Sequence, residues 1–253
     1  MDQIVNKIEK AVRECAQIML GAQRTREMID EKSGHANFVT TYDKAVQEAL
    51  REKLLTIVPG ATFVGEEDDV HSSIQKGDAF IVDPIDGTTN FIRDYHCSAI
   101  SVGMTRDGES YIGVIYNPYL DEMFSAQAGC GAYLNGKLIH VSREDLSGSI
   151  ILFGSSPYYP ELRARTLAML TSLMDASLDV RRSGSAALDF CSLAAGRAEL
   201  FFEMKLSPWD YAAGSLILTE AGGKCTTIEG EPITLSKPCS ILADNGIARL
   251  GMR

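Results

Sequence analysis

Residues 79–91 read Ala-Phe-Ile-Val-Asp-Pro-Ile-Asp-Gly-Thr-Thr-Asn-Phe, and the rest of the chain is interpreted around this stretch. Its apolar beginning, residues 79–82, has the length and composition of a buried strand. Asp83 then falls at the end of that strand, where open α/β sheets place their chemistry. Pro84 carries no N–H donor, so we expect strand pairing to stop there. The sequence therefore predicts an acidic loop at the carboxyl end of a strand.

The residues after Pro84 indicate what this loop binds. Asp86 follows one turn after Asp83, so that two carboxylates can converge on one ligand. Gly87 lets the backbone approach that ligand closely, and Thr88 can begin a helix whose free N–H groups suit a phosphate. Carboxylates beside a phosphate would repel it unless divalent cations lie between them. The stretch predicts a metal-and-phosphate site; the alternative interpretation is that both acids only cap a turn.

Length and composition limit the class of protein. The 253-residue chain has 45% hydrophobic and 23% charged residues, which is ordinary for a globular protein. Its length suits one compact unit of two lobes, which we place at residues 1–145 and 146–253. The formal net charge of −10 argues against a general nucleic-acid-binding surface.

The cysteines, histidines and apolar runs predict the compartment and the type of metal. No apolar run approaches about 20 residues, so we expect no membrane span, and the N-terminus lacks the layout of a signal peptide. Six scattered cysteines without a Cys-x-x-Cys pair predict free thiols in a reducing cytoplasm. Four isolated histidines argue against zinc, so the expected metal is a hard, oxygen-binding cation such as Mg²⁺.

The first half of the sequence predicts helices followed by strands. Apolar residues at helical spacing predict a helix over residues 3–30, and a capping box at Thr40–Asp43 begins a second helix, roughly 41–57. A short strand, residues 62–64, precedes Gly65-Glu66-Glu67. Strand-like runs then continue to an Asn135-Gly136 hairpin, so this lobe should be two helices on an antiparallel sheet that carries most of the metal ligands.

Three polar residues of this half have a structural interpretation beside the functional one. Lys32 in a polar loop is either solvated or steadies a water or substrate at the metals. Asp43 is either only the acid of the capping box or the partner of a catalytic water. Glu66 is either a solvated loop acid or, because it follows a strand, a third carboxylate of the site.

The second half alternates strands and helices, which predicts an α/β lobe that completes the site. One of its helices is predicted over Tyr159–Ala176. Gly184-Ser185-Ala186 opens another helix, either with an ordinary N-cap serine or with N–H groups that meet a ligand. Glu203 ends a predicted strand, and Asp210 lies in the first turn of the last helix, where an acid favours the helix dipole in any case.

Together these motifs resemble the inositol monophosphatase family along most of the chain. The matching motifs are Lys32 with Asp43, Gly65-Glu66-Glu67, residues 83–91, Gly184-Ser185-Ala186-Ala187, Glu203, Trp209-Asp210 and Thr219-Glu220-Ala221-Gly222-Gly223. Ser207-Pro208 departs from the His-Cys of some members, which could alter the rim of the pocket. The resemblance implies an αβαβα layered sandwich of the α/β (α+β) type, usually a homodimer.

The resemblance also implies roles for individual residues. The implied metal ligands are Glu66, Asp83, the Ile85 carbonyl, Asp86 and Asp210. The implied catalytic residues are Thr88 with Asp43, which orient or deprotonate the attacking water, together with Glu66 and Lys32. The implied substrate-binding residues are Asp86, Gly87, Thr88, Gly184, Ser185, Ala186, Glu203 and Asp210. Two or three Mg²⁺ ions per site, with Mn²⁺ as a substitute and lithium as an inhibitor, belong to the same expectation.

The activity that follows is Mg²⁺-dependent hydrolysis of a small sugar or polyol phosphate, foremost myo-inositol 1-phosphate, by direct attack of metal-activated water. Fructose-1,6-bisphosphatase, 3′-phosphoadenosine phosphatase and NADP phosphatase are the alternatives within the same superfamily. A covalent aspartyl-phosphate enzyme fits less well, because such enzymes favour acids two residues apart. A metal-dependent dimer scaffold without activity is the non-enzymatic alternative.

Overall fold

The computed structural model describes residues 3–23, 29–31, 38–68 and 73–248, with the backbone alone for residues 29–31, 38 and 39. In these ranges the helices are α1 (Gln3–Leu20), α2 (Thr41–Ile57), α3 (Thr88–Ile92), α4 (Arg163–Met174), α5 (Ala186–Ala194) and α6 (Pro208–Glu220). All six cysteines lie in the described ranges and all are free thiols, as predicted.

Helix α1 follows the predicted apolar stripe but is shorter than the sequence suggested. Val5, Ile8, Val12, Cys15 and Met19 are all buried on one face. The helix ends at Leu20, and residues 29–31 form strand β1, so the prediction of a helix to residue 30 was wrong. The physical reason is that the apolar stripe stops at Met19. The sequence beyond it is mostly polar and offers no apolar face whose burial would stabilise a longer helix.

Strand β1 (Ile29–Glu31) pairs antiparallel with β2 (Phe38–Thr40), which leads directly into α2. The hydroxyl of Thr40 accepts hydrogen bonds from the backbone N–H of Tyr42 and Asp43, and the Asp43 carboxylate accepts from the Thr40 N–H. This is the capping box that the sequence predicted, and it fixes where α2 begins.

The first large sheet has seven strands among the described residues, in the order in which they occur along the chain. They are β3 (Thr62–Gly65), β4 (Asp78–Asp86), β5 (Ala99–Arg106), β6 (Glu109–Asn117), β7 (Glu122–Gln127), β8 (Ala132–Leu134) and β9 (Lys137–Ile139). Only the β3–β4 pair of this sheet is parallel, and the predicted hairpin at Asn135-Gly136 joins β8 to β9.

The second large sheet has five strands in the described part of the chain, in the order β11-β10-β12-β14-β13. They are β10 (Ile150–Phe153), β11 (Asp179–Arg181), β12 (Leu200–Leu206), β13 (Lys224–Thr226) and β14 (Cys239–Asp244). Strands β10, β11 and β12 run parallel, which confirms the α/β character of this half. The predicted helix over Tyr159–Ala176 is instead a 3₁₀ turn followed by α4, since Pro160 occupies its first turn.

The buried side chains divide the molecule into layers. One apolar cluster joins α1 and α2 to the first sheet, a second joins the first sheet through α5 and α6 to the second sheet, and a third joins the second sheet to α4. The order helix, sheet, helix, sheet, helix confirms the predicted αβαβα sandwich. The division into lobes at residue 145 stays a prediction.

Helix α6 packs unusually close to the first sheet, and this places the residues of its first turn. A Cβ atom at Gly103 would lie 2.9 Å from the Ala212 side chain, and one at Gly113 would lie 2.6 Å from the Ala213 carbonyl oxygen. Only glycine permits such an approach of helix to strand. The two glycines therefore bring Asp210 over the carboxyl-terminal end of β4.

Within the described ranges, no helix has the length and apolar character that crossing a membrane requires.

Candidate active site

Strand β4 carries both acids of the central sequence motif and continues further than expected. It runs to Asp86, and its register with β5 shifts between Asp83 and Asp86, so the prediction that pairing stops at Pro84 was wrong. The irregularity absorbs the missing N–H of the proline. The Ile85 N–H donates to the Asp83 carboxylate over 3.0 Å, which holds the irregular segment in place.

Gly87 makes the turn from β4 into α3. Its φ of 85° lies in the left-handed region that favours glycine. A Cβ atom there would lie 2.9 Å from the Cys97 carbonyl oxygen and 3.2 Å from that of Gly184. This close contact joins the first half of the chain to the loop that precedes α5.

The start of α5 is bound directly to Asp86. The hydroxyl of Ser185 and the backbone N–H of Ala187 both donate to the Asp86 carboxylate, the latter over 2.9 Å. Ser185 is also the N-cap of α5, because its hydroxyl accepts from the Leu188 N–H. The N-cap interpretation of this serine is therefore confirmed, whereas contact between the start of α5 and a ligand stays a prediction. Burial raises the pKa of Asp86 to about 6, against the lowering effect of these two hydrogen bonds.

Asp210 completes a compact group of three carboxylates. Oxygen atoms of Asp83, Asp86 and Asp210 lie within 4.8 Å of one another. Burial raises the pKa of Asp83 and Asp210 well above the ordinary value, and the neighbouring carboxylates, Glu66 first among them, add to the rise. Two carboxylates about 4 Å apart repel by about 4 kcal/mol at an effective dielectric near 20. An all-oxygen, negatively charged group of this kind fits a hard divalent cation.

Glu66 and Ile85 line the same cavity as the three aspartates. Glu66 follows β3, and its backbone N–H donates to the Val82 carbonyl on β4 over 3.0 Å. The Ile85 carbonyl accepts from the Thr88 hydroxyl over 3.1 Å. The structure thus brings all five predicted ligand residues to one place, while their role as ligands remains a prediction.

The two carboxylate oxygens of Asp43 have different partners. Oδ2 accepts from the N–H and the hydroxyl of Thr40, at 2.7 and 2.5 Å, as the capping box requires. Oδ1 lies 3.3 Å from the Thr88 hydroxyl at the edge of the cavity. Burial raises the pKa of Asp43 to about 7, and the charges of Glu66 and Glu67 add to the rise. The capping box is therefore confirmed and Asp43 also lies beside Thr88, while the catalytic role of this pair stays a prediction.

Four further predicted substrate-binding residues of the second half line the same cavity. Gly184, Ser185, Ala186 and Glu203 all line a cavity of about 460 Å³. Glu203 lies within β12 and is only 8% exposed, so the prediction that it ends its strand was wrong. Its Oε1 accepts from the N–H and the hydroxyl of Ser156, and burial raises its pKa to about 7.

The sequence analysis did not predict several other residues that line this cavity. They are Ser156, Tyr158, Arg182, Asp189 and Lys205. Lys205 stands two residues after Glu203 on the same strand, so the two-residue periodicity of strands was the signal that could have found it. Asp189 is buried, which raises its pKa well above the ordinary value. Lys32, predicted as a catalytic residue, lies outside the described residues.

One family of known proteins matches the chain along nearly its whole length. The model of the inositol monophosphatase family matches residues 1–250. The chain belongs to the inositol monophosphatase family. This confirms the resemblance read from the sequence motifs, and the family is one of metal-dependent phosphatases.

Individual members of the inositol monophosphatase family are similar over most of their length. Inositol-1-monophosphatase of Bacillus subtilis is 38% identical over 233 residues, covering 89% of this chain and 87% of its own. Nus factor SuhB of Escherichia coli K12 is 34% identical, with coverage of 91% and 87%. The structure of inositol monophosphatase II from Staphylococcus aureus is 31% identical with a TM-score of 0.81, covering 95% of this chain and 89% of that one.

Proposed function

We propose that this protein is a Mg²⁺-dependent phosphomonoester hydrolase whose preferred substrate is myo-inositol 1-phosphate. The observation that carries the proposal is the group of Asp83, Asp86 and Asp210, gathered within 4.8 Å beside the Thr88–Asp43 pair. Three carboxylates, a hydroxyl and a buried acid at one cavity are the groups that phosphate-ester hydrolysis uses, because that reaction depends on positioning and on charge stabilisation.

The residues present fit two or three divalent cations. Glu66, Asp83, Asp86, Asp210 and the Ile85 carbonyl would hold Mg²⁺, or Mn²⁺ as a substitute. When bound, such ions would neutralise the carboxylates, lower the pKa of water and stabilise the leaving alkoxide. Burial and the neighbouring negative charges raise the pKa of Asp83 and Asp210, which supports the proposal, since these two carboxyls would otherwise hold protons rather than charge.

The chain's own residues would position the reactants. The Thr88 hydroxyl can accept a hydrogen bond from the attacking water while it donates to Asp43, which orients the water toward phosphorus. Gly87 and Thr88, at the turn into α3, would bind the phosphate oxygens. Lys32, which matches a lysine that the family has near the metals, is part of the same proposal.

The preference for inositol phosphate comes from the second half of the chain. Glu203 Oε1 is occupied by Ser156, which leaves Oε2 to accept from a polyol hydroxyl, beside Gly184, Ser185 and Ala186. A structure described as inositol monophosphate-bound SaIMPase-II, 32% identical to this chain, supports the same substrate class. Another structure of that protein is described as bound to 2′AMP, so nucleotides belong in the test.

The test is phosphate release from a substrate panel assayed side by side with Mg²⁺. The panel holds myo-inositol 1-phosphate, fructose 1,6-bisphosphate, 3′-phosphoadenosine 5′-phosphate, 2′AMP and NADP. We expect the inositol phosphate to give the highest kcat/KM, activity to vanish on chelation, Mn²⁺ to restore part of it, and lithium to inhibit. Full activity after exhaustive chelation would end the metal proposal, and a preference for another substrate would end only the inositol assignment.

A second candidate function is a binding role without turnover. It is favoured by the 34% identity to a relative named as a Nus factor. Absence of turnover on every substrate of the panel, in protein that binds Mg²⁺, would favour this second role. The predicted homodimer and the cytoplasmic location are part of the first proposal, and light scattering of the purified protein checks the dimer.

A further inference from the structure

We propose that Gln47 is the positioning residue of Glu66, and that it does so by fixing both backbone amides that flank this acid. The proposal rests on the proposed function, since it takes Glu66 to be a metal ligand. Gln47 is 6% exposed and lies on α2 one turn after Asp43, on the same face of the helix.

The side-chain amide of Gln47 is held by the turn that carries Glu66. Its oxygen accepts from the Glu67 N–H over 3.0 Å, and its nitrogen donates to Asp68 Oδ1 over 3.1 Å. Asp68 Oδ2 in turn accepts from the Gly65 N–H over 2.9 Å. The N–H groups immediately before and after Glu66 are therefore both fixed by side chains, one by Gln47 directly and the other through Asp68.

Two further contacts leave this arrangement little freedom. A Cβ atom at Gly65 would overlap the Gln47 amide, so the missing side chain provides the space that the amide fills. Arg51, one turn further along α2, pairs with Asp68 and stacks on the Phe63 ring at 4.1 Å. Asp68 is thereby held between Gln47 and Arg51, and the turn cannot move without breaking several partly buried hydrogen bonds.

The chemistry of glutamine suits this position. An amide can accept from Glu67 and donate to Asp68 at once, whereas a carboxylate could only accept. It also brings no charge to a region that already holds Asp43, Glu66 and Asp68. Since Asp43 and Gln47 lie on one helix, α2 would set the position of the metal ligand and of the Thr88 partner together. Outer residues that orient a metal ligand are worth 10- to 100-fold in metal affinity.

The experiment compares Gln47→Leu with the wild type and with Gln127→Leu. Gln127 ends β7, and its amide donates to the Tyr111 hydroxyl at a place outside the described lining of the catalytic cavity. Calorimetric titration with Mn²⁺ gives metal affinity, and denaturant unfolding in chelator gives stability. We expect Gln47→Leu to weaken Mn²⁺ binding about 10-fold or more while Gln127→Leu leaves it unchanged. Excess metal should restore most of the kcat of Gln47→Leu.

A second variant and a measurement without metal test the positioning role of Gln47 independently of the Gln47→Leu substitution. Gly65→Ala should displace the Gln47 amide and lower metal affinity in the same direction. Hydrogen exchange of the Glu67 amide in the chelated protein should be faster in Gln47→Leu than in wild type. If Gln47→Leu does not fold, Gly65→Ala decides alone.

The outcomes separate this inference from the proposed function. A wild type that binds no Mn²⁺ would overturn both. A wild type that binds Mn²⁺, with unchanged affinity in Gln47→Leu and Gly65→Ala, would overturn the positioning role alone. Equal loss of affinity in Gln127→Leu would also overturn it, because the effect would then be a general one of stability.

Discussion

The Thr88 hydroxyl lies 3.3 Å from Asp43 Oδ1 and 3.1 Å from the Ile85 carbonyl oxygen. A hydroxyl has one proton to donate and two lone pairs. It can therefore donate to one of these acceptors and still accept from a water at the cavity. Because Oδ2 of Asp43 accepts hydrogen bonds from Thr40, Oδ1 is the oxygen that faces Thr88.

The first prediction tests this pair. Asp43→Asn and Thr88→Val should each lower kcat about 100-fold or more, since positioned proton acceptors contribute about 10²- to 10⁴-fold. The double variant should be little worse than either single one, because the two residues act as a unit. Thr56→Val, at an exposed threonine near the end of α2, is the matched control. Additive losses would show that the residues act separately.

The second prediction concerns the path of oxygen. Hydrolysis in ¹⁸O-water should place one labelled oxygen in phosphate during a single turnover, read by mass spectrometry. This result is expected because water, oriented by Thr88 and Asp43, would attack phosphorus directly and leave its oxygen in the phosphate. Trapping of phosphate on Asp83 or Asp86 would revive the covalent aspartyl-phosphate mechanism instead.

The third prediction separates stability from activity at the acid cluster. Asp83→Asn and Asp210→Asn should reduce turnover to less than a tenth, equivalent to about 1.4 kcal/mol of barrier. In chelator, Asp83→Asn should resist denaturant better than wild type, because it removes one of several mutually repelling buried carboxylates. Either variant with more than a tenth of wild-type turnover would contradict the ligand role of that residue.

The fourth prediction is a pH dependence of stability in the chelated protein. Burial raises the pKa of Asp43 from 3.8 and that of Glu203 from 4.5, both to about 7. The folded state therefore holds protons that the unfolded state releases, so stability falls as pH rises from about 4 through 7. For Glu203, the raised pKa corresponds to about 3 kcal/mol of unfolding free energy that is lost over this pH range. Unfolding free energy should be higher at pH 5 than at pH 8.

Glu203→Gln is the control for that pH dependence. Glutamine cannot ionise, so the fall between pH 5 and pH 8 should become smaller in this variant. An identical fall in wild type and variant would mean that Glu203 does not carry the effect.

The fifth prediction concerns substrate choice. With the Glu203→Gln oxygen turned toward Ser156, its NH₂ group faces the substrate and an acceptor becomes a donor. At pH 8, above the raised pKa of Glu203, KM for myo-inositol 1-phosphate should rise, since a hydrogen bond to a charged group is worth about 1.5–3 kcal/mol. A small aryl phosphate without hydroxyls should be almost unaffected. An equal loss of kcat/KM on both substrates would mean that Glu203 supports the metal site or the fold instead of binding the substrate hydroxyls.

Local patterns predicted the elements whose signals lie within a few residues. The capping box at Thr40 and the Asn135-Gly136 hairpin appear where the sequence placed them, because both depend on neighbouring backbone groups. The same local reasoning failed at Pro84. It assumed regular pairing, whereas β5 tolerates a register shift beside the proline. It also placed Glu203 at a strand end, although pairing with β14 extends β12 to Leu206.

The sequence by itself determined which groups are available: the acids of residues 83–86, the small residues that open α5, and the apolar stripes that make helices and strands. Which of these groups meet depends on the tertiary structure. Ser185 reaches Asp86 across 99 positions of the chain, and Asp210 joins Asp83 because Gly103 and Gly113 let α6 approach the first sheet. The physical reason is that side-chain chemistry and helix periodicity are local properties. The convergence of carboxylates depends instead on how sheets and helices pack.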